Sequence, residues 1–389
     1  MIQFDNTEAA FRYKSNAELR RAHLLFRMLS KPWMVKTGKV LTNLALYFRI
    51  PVAWAIKPTI YRHFCGGESI AESLPVIRKI ESYGVSGILD YSVEGKESAD
   101  DIHAALEETL RTVVNAGKDP GIPFAVFKPT AFIPHRILDK IGNNESLSTE
   151  EEAEKEQFRV RVRKLCQTAY DHQIPIMIDA EDSWYQDFVD EVVTENMELF
   201  NRDRAIVFNT LQMYRTDRLD FLKKSLKKAE EGNYFLGIKF VRGAYMEKER
   251  ARAASMGYPD PINPDKPTTD RMYDDGLRFS IEHIDRMSVF NGSHNEASNL
   301  LLCELMEKHG LKRDDPRIWF SQLFGMSDHI SFNLGANGYN VAKYLPYGPV
   351  KHVLPYLIRR AEENTAVAGQ TLRELDLISR EWKRRRTKS

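Results

Sequence analysis

AIVFNTLQMYRTDRLDFLKKSLKKAEEGNYFLGIKFV, residues 205–241, shows in one passage how this chain folds. Residues 205–209 form a short apolar run, residues 218–231 read as an amphipathic helix, and residues 236–241 form a second apolar run. A strand needs only a few consecutive apolar residues when both its faces are covered, whereas a surface helix needs the longer 3.6-residue period. Outward from this passage the same unit recurs. From about Gly67 onward, apolar runs fall at 86–91, 124–128, 174–179, 287–291, 318–321 and 341–344. Helical patterns lie between them, for example at 99–115, 150–172 and 296–309. Eight strand–helix units of parallel type predict a (β/α)8 barrel of the TIM type. A doubly wound sheet is the alternative, but the count and the even spacing favour closure. Residues 258–269 (YPDPINPDKPTT) read as a loop, and residues 142–149 as another that ends at a helix start near Ser148 or Thr149.

Composition narrows the class. With 42% hydrophobic and 29% charged residues, the chain is an ordinary globular protein, and a net charge of +1 gives no reason to expect nucleic acid. Cys65, Cys166 and Cys303 are odd in number and far apart, which argues against a disulfide framework. The N-terminal MIQFDNTEAA is not a signal peptide, and no long uncharged stretch reads as a membrane span. The expected setting is the cytoplasm, with peripheral contact at the inner membrane surface as an added expectation.

That addition rests on uneven charge. Between Glu18 and Glu68 there is no acid, while Arg20, Arg21, Arg27, Lys31, Lys36, Lys39, Arg49, Lys57 and Arg62 interleave with Leu24, Leu25, Phe26, Trp33, Leu41, Leu44, Tyr47, Phe48 and Trp54. Such a segment suits an anionic membrane surface; the alternative is an arm of helices packed on the main domain. The expected division is a basic helical arm over 1–66, a barrel over 67–375 and a basic tail over 376–389.

In such barrels the C-terminal ends of the strands carry the chemistry. Polar residues do follow the apolar runs: Lys128, Asp179, Gln212, Arg242, Ser293 with His294, Gln322 and Tyr344. The run Arg242-Gly243-Ala244-Tyr245 offers a cation, a small backbone and an aromatic ring. In YLPYGPVKHVLPYLIRRAEEN, residues 344–364, a helix over 350–363 would place Tyr356, Arg359, Arg360 and Glu363 on one face. That face suits a small anion, since guanidinium forks match a carboxylate; an ordinary solvated Arg360–Glu363 pair is the alternative. No HExxH, GxSxG, GxGxxG or P-loop is present, so metal is not expected and any dinucleotide is held without the Rossmann fingerprint. A barrel hydrolase using Asp179 with Glu181 as an acid/base pair is a further reading.

KFVRGAYMEKER (residues 239–250) and YLPYGPVKHVLPYLIRRAEEN resemble the two signatures of the proline dehydrogenase (proline oxidase) family, and FKPTAF, IDAE, NTLQMY, GSHN and FSQLFGMSD resemble it in the same order. The resemblance covers roughly residues 128–364. It implies a distorted (β/α)8 barrel that binds FAD noncovalently, oxidises L-proline to pyrroline-5-carboxylate and passes electrons to a membrane quinone. Matched motif by motif, Lys128, Arg359 and Arg360 stand where the family clamps the substrate carboxylate. Tyr245, Leu323, Tyr344 and Tyr356 stand where it walls the ring pocket, and Asp179 where it keeps an acid beside flavin and lysine. Gln212, Lys239, Val241, Arg242, Gly243, Ala244, Ser293, His294, Arg360 and Glu363 match flavin contacts. The chain departs from commoner forms of the motifs at Lys239 (arginine), Ser293 (threonine), Met246 (tryptophan) and Pro129 (leucine). The resemblance further implies a monofunctional enzyme, and the bulk of Tyr344 favours proline over hydroxyproline.

Overall fold

In a computed structural model, which describes residues 2–48, 53–91, 97–366 and 368–388, the apolar runs are eight parallel strands of one nearly closed barrel sheet, with helices around it. They are β1 Ser86–Tyr91, β2 Ala125–Phe127, β3 Ile176–Ile178, β4 Val207–Gln212, β5 Leu236–Val241, β6 Met287–Gly292, β7 Ile318–Leu323 and β8 Val341–Tyr347. Their order is β1-β8-β7-β6-β5-β4-β3-β2. Every residue of β2, β3, β4 and β8 is buried, the condition that lets β2 (AVF) and β3 (IMI) be written as unbroken apolar runs. The helix start expected near Ser148 is a capping box, in which Ser148 and Glu151 each satisfy the other's backbone N–H. The expected 258–269 loop is shorter than its sequence implied. A helix, Lys266–Glu282, begins inside it, capped by Asp265, whose carboxylate accepts from the Thr268 N–H at 2.7 Å. Pro267 is tolerated there because a first-turn N–H has no helical partner anyway.

The chain divides into two compact units, Met1–Ser92 with Gln322–Ser389, and Val93–Ser321. In the second unit, Phe124 meets Phe208, Phe290 and Trp319 edge-on, with ring centroids 5.5, 5.0 and 5.4 Å apart. Rings from β4, β6 and β7, which are not all neighbours, meet the one just before β2 only if all point inward. They form a packed aromatic layer in the interior of the sheet.

In the first unit, β1 and β8 pair with Ile88 opposite Tyr344. Helices from both chain ends pack together: Ala10, Phe11, Leu19, Ala22 and Phe26 form one buried cluster with Leu377 and Ile378. The helix Ala368–Lys388 therefore runs through the boundary expected at 375, and the basic residues 383–388 are its final turns. Glu381, fully buried, accepts from Arg384 and Arg385 of its own helix and from the Thr7 hydroxyl at 3.0 Å. Deeper, the Asp328 carboxylate takes the Tyr13 hydroxyl at 2.7 Å and ion pairs with Lys14 at 3.2 Å and Lys343 at 3.0 Å. Burial alone would raise this carboxyl, but the two ammonium groups hold it well below its usual range. The three cysteines are buried free thiols. The helix Pro32–Tyr47 leaves Trp33, Val40, Leu41, Leu44 and Tyr47 at least half exposed. Arg49 lies outside the described residues. Among the described residues no helix is long and apolar enough to cross a membrane.

Candidate active site

Three strand ends of the second unit bring opposite charges together. Lys128 lies one residue past β2, Asp179 one past β3, and Lys239 within β5. The Asp179 N–H donates to the Phe127 carbonyl at 2.9 Å, which continues the ladder one residue past β3. Lys239 Nζ donates to Asp179 Oδ1 at 2.6 Å, and Lys128 Nζ to Oδ2 at 3.3 Å. Burial opposes ionisation of Asp179, but Lys239 and then Lys128 outweigh it, so the carboxyl is held below its usual range. An ammonium–carboxylate–ammonium row keeps one net positive charge at the mouth of the barrel, suited to an electron-rich or anionic group. Gln212, at the end of β4, is 2% exposed, and its Oε1 has no hydrogen-bond partner among the described residues. A buried amide oxygen left unmatched costs free energy unless a ligand supplies a donor.

The segment after β5 is built as a rigid turn. Arg242 donates from Nε to Asp270 at 2.8 Å, to the Ser293 hydroxyl at 2.9 Å and to the Ser298 hydroxyl at 3.0 Å, and lies 4.4 Å from the Tyr273 ring centroid. Those contacts tie β5 to the loop after β6. Gly243 has φ +125°, and a Cβ there would lie 2.6 Å from the Tyr214 ring, so both the backbone and the close approach require glycine. Val241 and Tyr245 are half-buried and Ala244 is exposed, with Tyr245 at the N-terminus of the helix Met246–Met256. Buried Ser293 also accepts from the Asn295 N–H at 3.2 Å, which shapes the loop carrying half-buried His294 ahead of the helix Glu296–Lys308.

In the first unit, Tyr344 is buried in β8 and Leu323 ends β7. The expected C-terminal helix is Val350–Ala366. On it, the Arg360 guanidinium lies 5.2 Å from the Tyr356 ring centroid, while Arg359 is half-buried. Tyr356 belongs to an apolar cluster with Met326 and Leu357, against which Leu323 packs. Glu363 lies on this helix, but its side chain is outside the described residues. Within the two units, the structure thus groups Lys128, Asp179 and Lys239; Arg242 and Ser293; and Leu323, Tyr356 and Arg360.

Sequence reading missed several supports. Asp270 and Ser298 hold Arg242, and neither sits in a recognisable pattern. Glu249, inside the charged run MEKER, is fully buried, where it accepts from the Ser183 N–H at 2.7 Å and from the Ser183 hydroxyl at 2.5 Å. Burial raises its carboxyl above the usual range. It pins the helix after Tyr245 to the loop after Asp179. Glu181 accepts from the Thr130 N–H at 2.9 Å and hydroxyl at 2.8 Å. Among the described residues no group of three or more His, Cys, Asp or Glu is placed to hold a metal ion.

A family model described as proline dehydrogenase matches residues 73–373. Proline dehydrogenase 2, mitochondrial, of Arabidopsis thaliana is 32% identical, covering 85% of this chain and 78% of that protein. The carbapenem antibiotics biosynthesis protein CarD of Pectobacterium carotovorum subsp. carotovorum is 34% identical over 83% of each. The hydroxyproline dehydrogenase of Xenopus laevis is 32% identical, covering 96% of this chain and 88% of that protein. Among solved structures, the proline utilization A protein of Bdellovibrio bacteriovorus inactivated by N-propargylglycine superposes with a TM-score of 0.74 at 21% identity. That likeness, covering 94% of this chain but 42% of the other, establishes the shared barrel fold. By the matched span and these identities, the chain belongs to the proline dehydrogenase family of oxidoreductases.

Proposed function

We propose that this protein oxidises L-proline to pyrroline-5-carboxylate with noncovalently bound FAD and delivers the electrons to a membrane quinone. The observation that carries the reading is the Lys128–Asp179–Lys239 row at the strand ends of a chain matched by the proline dehydrogenase model. The residues fit the cofactor. Gln212 offers an unmatched buried acceptor, Lys239 a cation, Arg242 a guanidinium pinned by three partners, and Gly243 a backbone free of Cβ. Lys239, Gln212, Val241–Ala244, Ser293, His294, Arg360 and Glu363 are assigned to holding it. FAD supplies the capacity to accept a hydride from the ring carbon beside nitrogen.

The chain's own residues bind and orient. Arg359 and Arg360 take the substrate carboxylate, since a guanidinium fork fixes its plane as well as its position. Tyr344, Tyr356, Leu323 and Tyr245 are assigned to the ring, and Lys128 to a further cationic contact with an anionic ligand. Asp179, kept ionised, holds both lysine ammonium groups in place. Hydride can leave only when the amine lone pair is available, so turnover should rise as the substrate amine loses its proton. Buried, bulky Tyr344 favours proline over a hydroxylated ring.

The exposed Trp33, Leu41, Leu44, Tyr47, Phe48 and Trp54 among the arm's cations support peripheral contact with an anionic membrane. The hydrolase reading is disfavoured, because both its carboxylates are engaged elsewhere: Asp179 accepts from Lys239 and Lys128, and Glu181 from the Thr130 N–H and hydroxyl. One visible spectrum tests the proposal. The purified protein should be yellow and bleach when L-proline is added without oxygen; a colourless preparation that cannot be reconstituted with FAD would refute it.

A further inference from the structure

Lys343 is the single charged residue of β8, VAKYLPY, and it is wholly buried. A lysine is almost never placed so deep unless its charge is met. Here the loop that leaves β7 meets it. Lys343 Nζ donates to the Met326 carbonyl at 2.5 Å and to the Leu323 carbonyl at 3.4 Å, and ion pairs with Asp328 at 3.0 Å. An ammonium carries three N–H donors, and three oxygens from residues 323–328 surround this one. Burial pushes the lysine down from its usual range, and the Asp328 carboxylate opposes the loss of its proton.

That loop needs an anchor. Gly325 has φ +79° and Ser327 φ +50°, so two of its residues sit in the left-handed region. Such a backbone is strained for a serine and persists only where its surroundings hold it. Three other segments grip the loop: His63 donates to the Gly325 carbonyl at 2.8 Å, Glu374 accepts from the Ser327 N–H at 2.5 Å, and Tyr13 donates to Asp328 at 2.7 Å. Lys343 grips it from the sheet. What the loop carries is Leu323, packed against the cluster that holds Met326 and Tyr356. The next residue of β8 also takes part, since the Tyr344 carbonyl accepts from the Phe324 N–H at 2.8 Å. Successive side chains of a strand leave opposite faces, so Lys343 and Tyr344 do not compete for one space.

We infer that Lys343 is a positioning residue for the substrate: by holding the Leu323 and Met326 carbonyls, its ammonium fixes the apolar wall against which the proline ring rests. This rests on the assignment of Leu323 and Tyr356 to that ring, and it adds a residue that acts through the loop rather than by touching substrate. The carboxylate is assigned to Arg359 and Arg360, neither of which is among the groups that Lys343 holds. Loss of the ammonium should therefore be felt by the ring of a ligand and not by its carboxylate. A residue that merely stabilised the fold would weaken both alike.

The test uses the full chain loaded with FAD. Lys343→Met keeps the stem and removes the ammonium. Its proline KM should rise roughly fourfold to sixteenfold, the worth of one or two methylene contacts. Tetrahydro-2-furoate, in which oxygen replaces the ring N–H so that no oxidation follows, should lose affinity by the same factor in calorimetry. Acetate, a carboxylate without a ring, should inhibit within about twofold of its wild-type constant. Lys343→Met leaves Asp328 one ammonium short, so adding Asp328→Asn should restore part of any lost Tm while the proline KM stays raised. If Lys343→Met alone does not fold, this double variant carries the same comparison of proline with acetate. In a Leu323→Ala background, Lys343→Met should change KM by less than about twofold, because the side chain it positions is gone. A wild-type KM in Lys343→Met, acetate weakened as much as proline, KM recovering together with Tm, or an undiminished effect beside Leu323→Ala would each overturn the inference. An unchanged KM in Leu323→Ala alone would instead remove Leu323 from the ring wall, and the inference with it.

Discussion

Replacing Asp179 by asparagine tests the charge row at its centre. The substitution keeps the side-chain shape and leaves Lys128 and Lys239 facing a neutral group. Side-chain exposures of 13% for Asp179, 14% for Lys128 and 7% for Lys239 admit little water. Removing one partner of a buried pair costs about 3–5 kcal/mol, and the slight exposure points to the lower end, about 3 kcal/mol. At roughly 2.1 cal/mol/K per residue, the whole chain's unfolding entropy is near 0.8 kcal/mol/K, so Tm should fall by about 4 °C at pH 7. The sign with pH follows from the lowered carboxyl. Its stabilisation is present above the ordinary carboxylate range and lost as pH falls toward the depressed value, so variant and wild type should converge in acid. Melting curves followed by circular dichroism from about pH 3, roughly one unit below the ordinary carboxylate value, to about pH 8 read both effects. Adding Lys239→Met should recover part of the loss, because the remaining lysine no longer faces a like charge. A variant within about 1 °C of wild type at pH 7, with no recovery in the double mutant, would show that the row carries no structural charge balance.

Arg360→Met keeps the packing of the arginine stem over Tyr356, so the fold should persist while the proline KM rises roughly 10–100-fold, the cost of a charge-assisted hydrogen bond. Arg360→Lys should fail to restore it, since an ammonium lacks the planar fork; steady-state kinetics on both variants decide the matter. Glu374 is pushed up to about 7, first by burial and then by Asp328, against the opposing pull of His329. A raised carboxyl is most stabilising below its unfolded value and loses that as pH rises through the folded one. Glu374→Gln should therefore raise Tm at pH 8 by a margin worth up to about 3 kcal/mol and leave it unchanged near pH 4; the same gain at both pH values would contradict this. Gly243→Ala should cost about 1–3 kcal/mol through its positive φ and the Tyr214 contact, and should release flavin before the fold is lost, as read by absorbance after gel filtration. If Tyr344 excludes a ring hydroxyl, kcat/KM for proline should exceed that for 4-hydroxyproline by about tenfold or more, and the gap should narrow in Tyr344→Ser.

The barrel could be read along the chain because its elements are local. Each strand is a short, largely buried run, and β1 and β5 have the bounds their composition predicts. The helix start at Ser148 was equally visible, since a capping box is a four-residue event. Within the second unit the polar residues expected at strand ends do lie there, Lys128 and Asp179 just past β2 and β3 and Gln212 ending β4, whereas Tyr344, expected to end the last run, lies mid-strand because β8 continues to Tyr347. Pairings across long separations were not visible. Nothing near Glu249 reports that it will be fully buried on Ser183, sixty-six residues earlier, and its neighbours in MEKER read as solvated charge. The same holds for Asp328, which gathers Tyr13, Lys14 and Lys343, and for Glu381, which turns a basic tail into the end of a buried helix. Periodicity and caps are properties of neighbouring residues and are written into their order. Which charge meets which counter-charge depends on how distant segments are brought together, and only the folded chain decides that.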